Sequence, residues 1–81
     1  MSKEICKKIV EKYKHQCDII CIDVINGYTD EIVILPYIRI GNMVCDKPLY
    51  VYGKGSTEKL YRIVDEYITE MIEKLKNYKG E

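Results

Sequence analysis

The two central segments of this chain are apolar at nearly every position, which limits how the sheet they form can be covered. Residues 18 to 25 read Asp-Ile-Ile-Cys-Ile-Asp-Val-Ile, and residues 31 to 40 are rich in Ile and Val. A strand with one face in water alternates apolar and polar side chains. These segments instead place apolar side chains on both faces. We therefore predict a sheet that needs a cover on each side.

Helical spacing of apolar residues flanks these strands. Residues 3 to 16 form a first predicted helix with one apolar stripe, and Ser2 is its predicted N-cap. A longer helix is predicted to begin at Ser56 or Thr57, either of which can cap it, and to run to about Asn77. Its apolar residues spread over about half of its circumference, a wide stripe.

The order of predicted elements defines the fold class. A third strand covers residues 43 to 52 and is predicted to break near Asp46-Lys47-Pro48. The fold is then α+β, in the order α-β-β-β-α, with a three-stranded antiparallel sheet packed with two helices. We expect one small domain over residues 1–81.

The short links between these elements permit two arrangements. The helices either cover opposite faces of the sheet, or both cover one face while the other meets a second chain. An uncovered three-stranded face would be an apolar patch of several hundred Å², which monomers rarely expose. The wide apolar stripe of the last helix also favours contact with a second chain. We predict self-association, as a homodimer.

The hairpin between the first two strands allows more than one register. Asn26-Gly27 is a strong turn signal. A two-residue turn places Asp23 opposite Asp30, two carboxylates that could hold Mg²⁺ but repel each other without it. A four-residue loop from Asn26 places Asp23 opposite Ile32 and matches apolar with apolar, so we favour it. Pro36 lacks an N–H and predicts an edge strand or a bulge.

Length and charge restrict the classes of function. The chain has 81 residues, with 13 Lys and Arg against 13 Asp and Glu, so its formal net charge is zero. A neutral chain does not favour a dominant electrostatic role on nucleic acid or an acidic membrane. The longest apolar run is six residues, too short for a membrane span, and we find no signal-peptide core. We expect a cytoplasmic protein. Few amides and many charges are also typical of a thermophile or one of its viruses, although the cysteines and methionines count against that origin.

The cysteines give a weak metal signal. Without a C-x2-C pair or a secretory signal, we interpret them as small buried hydrophobes. The alternatives are one disulfide, or a zinc site with the ligands His15, Cys17, Cys21 and Cys45. The four cysteines are Cys6, Cys17, Cys21 and Cys45.

Three isolated polar residues are candidates for a catalytic role. Asp23 lies on a strand similar to the first strand of ribonuclease H-like nucleases, where an Asp binds a divalent metal, but this chain lacks room for the further carboxylates. Arg39 is far from Asp23 in either hairpin register and is interpreted as an exposed or interface residue. His15 lies near a helix C-terminus, where its charge is favourable. We predict no enzyme, no catalytic residue, no metal and no cofactor.

The element order also resembles that of the double-stranded-RNA-binding domain. The junction Tyr52-Gly53-Lys54-Gly55-Ser56-Thr57-Glu58-Lys59 is similar to that family's third strand running into its basic second helix. The resemblance implies contacts from the first helix and first hairpin loop to successive minor grooves, and from the second helix start to phosphates. The residues it implies for nucleic-acid binding are Lys7, Lys8, Tyr28, Lys54 and Lys59.

Two functions follow from these observations. The apolar surplus favours a non-enzymatic interaction protein that forms a homodimer and binds a protein partner. The alternative is a nucleic-acid-binding module that uses the first helix, since residues 1 to 17 hold five Lys and two Glu, together with the Lys54 and Lys59 junction.

Overall fold

A computed structural model describes residues 2–27, 30–53 and 55–77. It contains two helices and an antiparallel sheet of four strands, so the predicted α+β class is confirmed. The predicted third strand is two short strands, separated near the predicted break. The elements are α1 (Ser2–Tyr13), a 3-10 turn (Lys14–Gln16), β1 (Ile19–Asn26), β2 (Ile32–Ile40), β3 (Met43–Cys45), β4 (Leu49–Val51) and α2 (Thr57–Asn77).

The ends of the helices differ slightly from the prediction. Ser2 is the first helical residue of α1 rather than a cap before it, and the last predicted turn is the tighter 3-10 turn. At the start of α2, the backbone N–H of Lys59 donates to the Ser56 hydroxyl at 3.1 Å. Ser56 is therefore the N-cap of α2, as predicted, and it satisfies one of the free amides of the first turn.

β2 is the central strand of the sheet, which corrects the prediction from Pro36. β1 pairs along one side of β2. On the other side, β4 pairs with residues 32 to 34 and β3 with residues 38 to 40. Pro36 lies in the interval between these two pairings. A central strand tolerates a residue without an N–H here because no third strand pairs with it at that position.

Both predicted hairpin registers are wrong. Asp23 pairs with Leu35, and Asn26 with Ile32. The connection spans residues 27 to 31, and the Gly27 N–H donates to the Glu31 carbonyl at 2.8 Å. This register places the even-numbered residues of both strands on one face. The uninterrupted apolar residues of β1 and β2 therefore lie side by side on that face.

Both helices pack on that even-numbered face. Val24 pairs with Ile34, and Ile20 with Ile38, and all four belong to the core or pack against it. Burial of Ile9, Ile38 and Ile68 is complete. The Cα atoms span only 16 Å in the thinnest direction, which fits one layer of helices on one sheet and leaves no depth for a second helical layer.

The wide stripe of α2 is used within the chain. α2 contacts β2, β3 and α1, so its apolar side chains turn toward both the sheet and the neighbouring helix. Five of them are buried. The width of this stripe therefore gives no support to self-association. The buried residues of α2 are Val64, Ile68, Met71, Ile72 and Leu75.

Polar contacts fix α1 against α2 at the rim of the core. The Tyr13 hydroxyl donates to Asp65 at 2.8 Å and lies 2.6 Å from the Thr69 hydroxyl. Lys12 Nζ lies 3.1 Å from the same Asp65 carboxylate. Tyr13 is 8% exposed, so this hydroxyl needs its partners to offset the loss of water.

Burial of three weak acids, Cys6, Cys17 and Tyr67, predicts that the fold loses stability at alkaline pH. Burial raises the pKa of the Cys6 thiol, and burial also raises the pKa of Tyr67, whose hydroxyl donates to the Lys47 carbonyl at 2.8 Å. Each of these groups therefore has a higher pKa in the folded chain than in the unfolded chain. The stabilisation is thus complete below the unfolded pKa, about 9 to 10, and is lost as pH rises through the folded pKa.

We expect the urea midpoint to fall between pH 8 and about pH 11. The fall should be smaller in Tyr67→Phe, which removes one of the three groups. A midpoint that stays constant over this range in the unmodified chain would contradict the assignment.

Candidate interaction surface

The side of the sheet opposite the helices is exposed and mainly apolar; we call it the open face. It is formed by the odd-numbered side chains of β1 and β2 and by one side chain each from β3 and β4. Several of these are large hydrophobic groups with a third to a half of their surface in solvent. The open face consists of Ile19, Cys21, Asp23, Ile25, Val33, Leu35, Tyr37, Arg39, Val44 and Tyr50.

The centre of the open face is already well packed. Val33 is only 7% exposed although no helix covers it. Its strand partners are Ile25 on one side and Tyr50 on the other, which are 50% and 53% exposed. These neighbours shield Val33, and their own outer surfaces form an apolar platform. A platform of this kind is able to lie against another apolar surface without rearrangement.

The open face is large enough to matter energetically. A strand rise of about 3.4 Å and a strand spacing of about 4.8 Å give it a flat area of about 400 Å². Side-chain relief makes the accessible area larger. Patches of this size on monomers are often functional.

Asp23 and Arg39 are the two charged side chains of the open face within its strands. Asp23 pairs with Leu35, and Arg39 pairs with Ile19, so four residues separate them along the sheet. This confirms the prediction that they form no simple ion pair. Asp23 Oδ1 accepts the Val24 backbone N–H at 2.8 Å. Its carboxylate retains Oδ2 for a further donor.

Cys21 lies on the open face and is exposed, which corrects its interpretation as a buried hydrophobe. Cys6 is buried as predicted, and Cys17 and Cys45 are half-buried. All four thiols are free in the structure. Cys17 and Cys45 pack against the core under the helices, so they lie on the other side of the sheet from Cys21.

The predicted metal and catalytic residues do not converge. The register separates Asp23 from Asp30, because Asp23 lies opposite Leu35 and Asp30 lies in the hairpin loop, so the facing pair of carboxylates is wrong. His15 is exposed in the 3-10 turn after α1. Among residues 2–27, 30–53 and 55–77, no group of three or more His, Cys, Asp and Glu side chains is placed to hold a metal ion.

Three of the five predicted nucleic-acid-binding residues can be located. Lys7 and Lys8 are exposed on α1, and Lys59 is exposed in the first turn of α2. Tyr28 and Lys54 lie outside the described residues.

Each of the located lysines shares a surface groove with carboxylates. Lys7 lies in a groove with Glu11 and Asp23. Lys8 lies in one with Glu4, Glu58 and Asp65. Lys59 lies in a third with Asp30 and Glu31. Their surroundings are therefore of mixed charge, whereas a groove that tracks phosphates is positive.

Tyr52 and Glu31 form a polar contact at the end of the third groove. The hydrogen bond to the Glu31 carboxylate is the main reason that the pKa of Tyr52 is raised. Tyr52 is 73% exposed, so this contact lies at the surface and contributes little to stability.

Comparison of the chain with known families, with curated proteins and with solved structures finds no match. None of the helices in the described part of the chain is long and apolar enough to span a membrane.

Proposed function

We propose that this protein is a non-enzymatic interaction protein that associates with a second copy of itself through the open face. One observation carries this proposal: both helices lie on the same side of a sheet whose two faces are both apolar. The open face is left with Ile25, Val44 and Tyr50 each about half in solvent. Covering these groups removes apolar surface from water, which is the main driving force of association.

The chemistry of the open face favours binding over catalysis. Its one acid and one base, Asp23 and Arg39, lie about 14 Å apart by strand rise and spacing. That distance is too long for both to act on one reacting atom, since acid–base catalysis needs hydrogen-bond contact. The remaining side chains are mainly aliphatic or aromatic, and they contribute apolar contact area rather than reactive groups.

The size of the open face sets the expected strength of the dimer. Two faces together remove at least about 800 Å² of flat area, which is below the roughly 1,200 Å² of standard specific interfaces and in the range of weak, transient ones. We therefore expect a dissociation constant in the micromolar range rather than an obligate dimer. The helical side of each subunit stays outside this contact.

Sedimentation equilibrium of the full chain tests the proposal. We expect the weight-average mass to rise from 9.5 kDa towards twice that value between about 1 and 500 µM protein. A mass that stays at 9.5 kDa across this range would contradict self-association. High salt should leave the dimer largely intact, because apolar contact is not screened.

Nucleic-acid binding is the second candidate function, favoured by the exposed Lys7 and Lys8 on α1. The carboxylates beside each located lysine argue against it. A titration with duplex RNA separates the two functions. Specific use of these lysines predicts binding at about 50 mM salt that weakens steeply as salt rises. We expect no such binding, and a steep salt-dependent isotherm lost in Lys7→Gln/Lys8→Gln would favour the second function instead.

A further inference from the structure

We propose that the two open faces meet around a two-fold axis that pairs Asp23 of each chain with Arg39 of the other. This arrangement rests on the proposed function and specifies how the second copy is recognised. It gives a role to the two charged side chains that interrupt an otherwise mainly apolar surface.

The first argument is the cost of burying these charges. When a second sheet covers the open face, Asp23 and Arg39 lose much of their contact with water. A buried charge is strongly destabilising unless an opposite charge and hydrogen bonds accompany it. Within one chain the two groups are about 14 Å apart and cannot pair. Lys7 shares a groove with Asp23 but belongs to α1, on the helical side, so the opposite charge on the open face itself has to come from a partner chain.

The second argument is self-complementarity. A two-fold interface brings a residue i of one chain to residue j of the other, and j to i. The open face carries one acid and one base within its strands, so a single two-fold operation pairs both copies of each. Other face-to-face arrangements would leave one or both charges buried without a partner, and they are therefore disfavoured.

The positions of the two charges locate the axis. The axis lies between the two sheets and crosses the midpoint of the line from Asp23 to Arg39. Cys21 pairs with Tyr37 in the register, halfway between the Asp23–Leu35 and Ile19–Arg39 pairs. Cys21 and Tyr37 therefore lie beside the axis, and each faces its own counterpart across the interface.

The positions of the two charges also determine the angle between the sheets. The line from Asp23 to Arg39 is inclined to the strands by about 20°, from strand rise and spacing. Rotation about an axis perpendicular to this line inclines the partner's strands by twice that angle, about 40°. The strands of the two chains therefore cross obliquely rather than at right angles.

Complementary charge reversals test the arrangement. Asp23→Arg gives a chain with two bases on the open face, and Arg39→Asp gives a chain with two acids. Each variant alone should dimerise at least about tenfold more weakly than the unmodified chain, because like charges then face each other. An equimolar mixture of the two should form a heterodimer with both ion pairs restored. Glu66→Arg and Arg62→Asp, at exposed positions of α2, are matched controls that should leave dimerisation unchanged.

The outcomes separate this inference from the proposed function. If the unmodified chain is monomeric at all concentrations, the proposed function fails and the arrangement fails with it. If the unmodified chain dimerises but each reversal dimerises equally well, or the mixture recovers nothing, the two-fold arrangement is wrong while association through the open face stands.

An NMR measurement keeps the arrangement testable if a variant folds poorly. Sheets packed face to face lie about 10 Å apart, so side chains beside the axis meet their counterparts across the interface. In a mixture of isotope-labelled and unlabelled chains, we expect intermolecular nuclear Overhauser effects between the two Tyr37 rings. A dimer that forms in solution but shows no intermolecular contact at Tyr37 would overturn the proposed axis.

Discussion

Replacing Tyr37 by lysine is expected to give a folded chain that is monomeric. Tyr37 lies on the central strand of the open face and is 41% exposed, so the fold does not depend on its ring. In the dimer, however, the substitution buries two ammonium groups against apolar surface with no acid opposite them. An uncompensated buried charge costs several kcal/mol. The dissociation constant should rise at least about 100-fold, or about 2.7 kcal/mol, as measured by sedimentation equilibrium.

Glu66→Gln is the matched control for Tyr37→Lys. It changes the net charge by the same amount at an exposed position of α2, on the helical layer. We expect its dimerisation to equal that of the unmodified chain, and both variants to keep the circular dichroism of the folded protein. If Tyr37→Lys dimerises as well as Glu66→Gln, the open face is not the association surface.

Replacing Ile68 by alanine is expected to cause a large loss of stability. Ile68 is 0% exposed at the middle of α2 and belongs to the central cluster under the sheet. Truncating a fully buried isoleucine to alanine costs about 2–5 kcal/mol, through lost burial and the cavity that remains. A domain of this length has a total stability of about 4–12 kcal/mol. The urea midpoint should therefore fall by at least about a sixth, and by nearly half for mid-range values of the two energies.

Ile25→Ala makes the same chemical change on the open face. Ile25 is 50% exposed, so in the monomer its truncation should lower the free energy of unfolding by less than about 1 kcal/mol. Both variants are compared at a protein concentration low enough to keep the chain monomeric. Equal losses in Ile68→Ala and Ile25→Ala would contradict the division of the sheet into one covered and one open face.

The sequence predicted the elements well because their signals are local. The apolar spacing in α2 and the cap at Ser56 depend on residues within one or two turns, and the predicted helix end at Asn77 agrees with the structure. The break near Asp46-Lys47-Pro48 was also visible in the composition of the third strand. These features do not require knowledge of which elements meet in space.

The hairpin register was not predictable from the turn signal alone. Asn26-Gly27 favours a tight turn, but the chain closes the hairpin with a longer connection that ends at Glu31. The two strands contain Ile or Val at so many positions that several registers match apolar with apolar. Register is specified by the face that becomes buried, and that face depends on where the helices pack.

The choice of the covered face has a signal that sequence reasoning did not use. The uniformly apolar rows, which include Ile22 and Ile34, have even numbers, whereas Asp23 and Arg39 both have odd numbers. Placing all even residues on one face collects the uncharged rows under the helices and puts both charges on the other face. The apolar pattern of the strands left two arrangements of the helices open, and identifying the covered face required this parity.

The exposure of Cys21 to alkylation at different protein concentrations tests the central claim, that the open face is the surface of self-association, most directly. Iodoacetamide labelling of the intact chain is followed at each cysteine by mass spectrometry, with the half-buried Cys17 and Cys45 on the helical side as internal references. Association through the open face predicts that Cys21 is labelled rapidly in dilute protein and becomes protected as concentration rises through the dissociation constant, while the references are unchanged. Labelling of Cys21 that is independent of concentration, in a chain whose mass doubles over the same range, would contradict it.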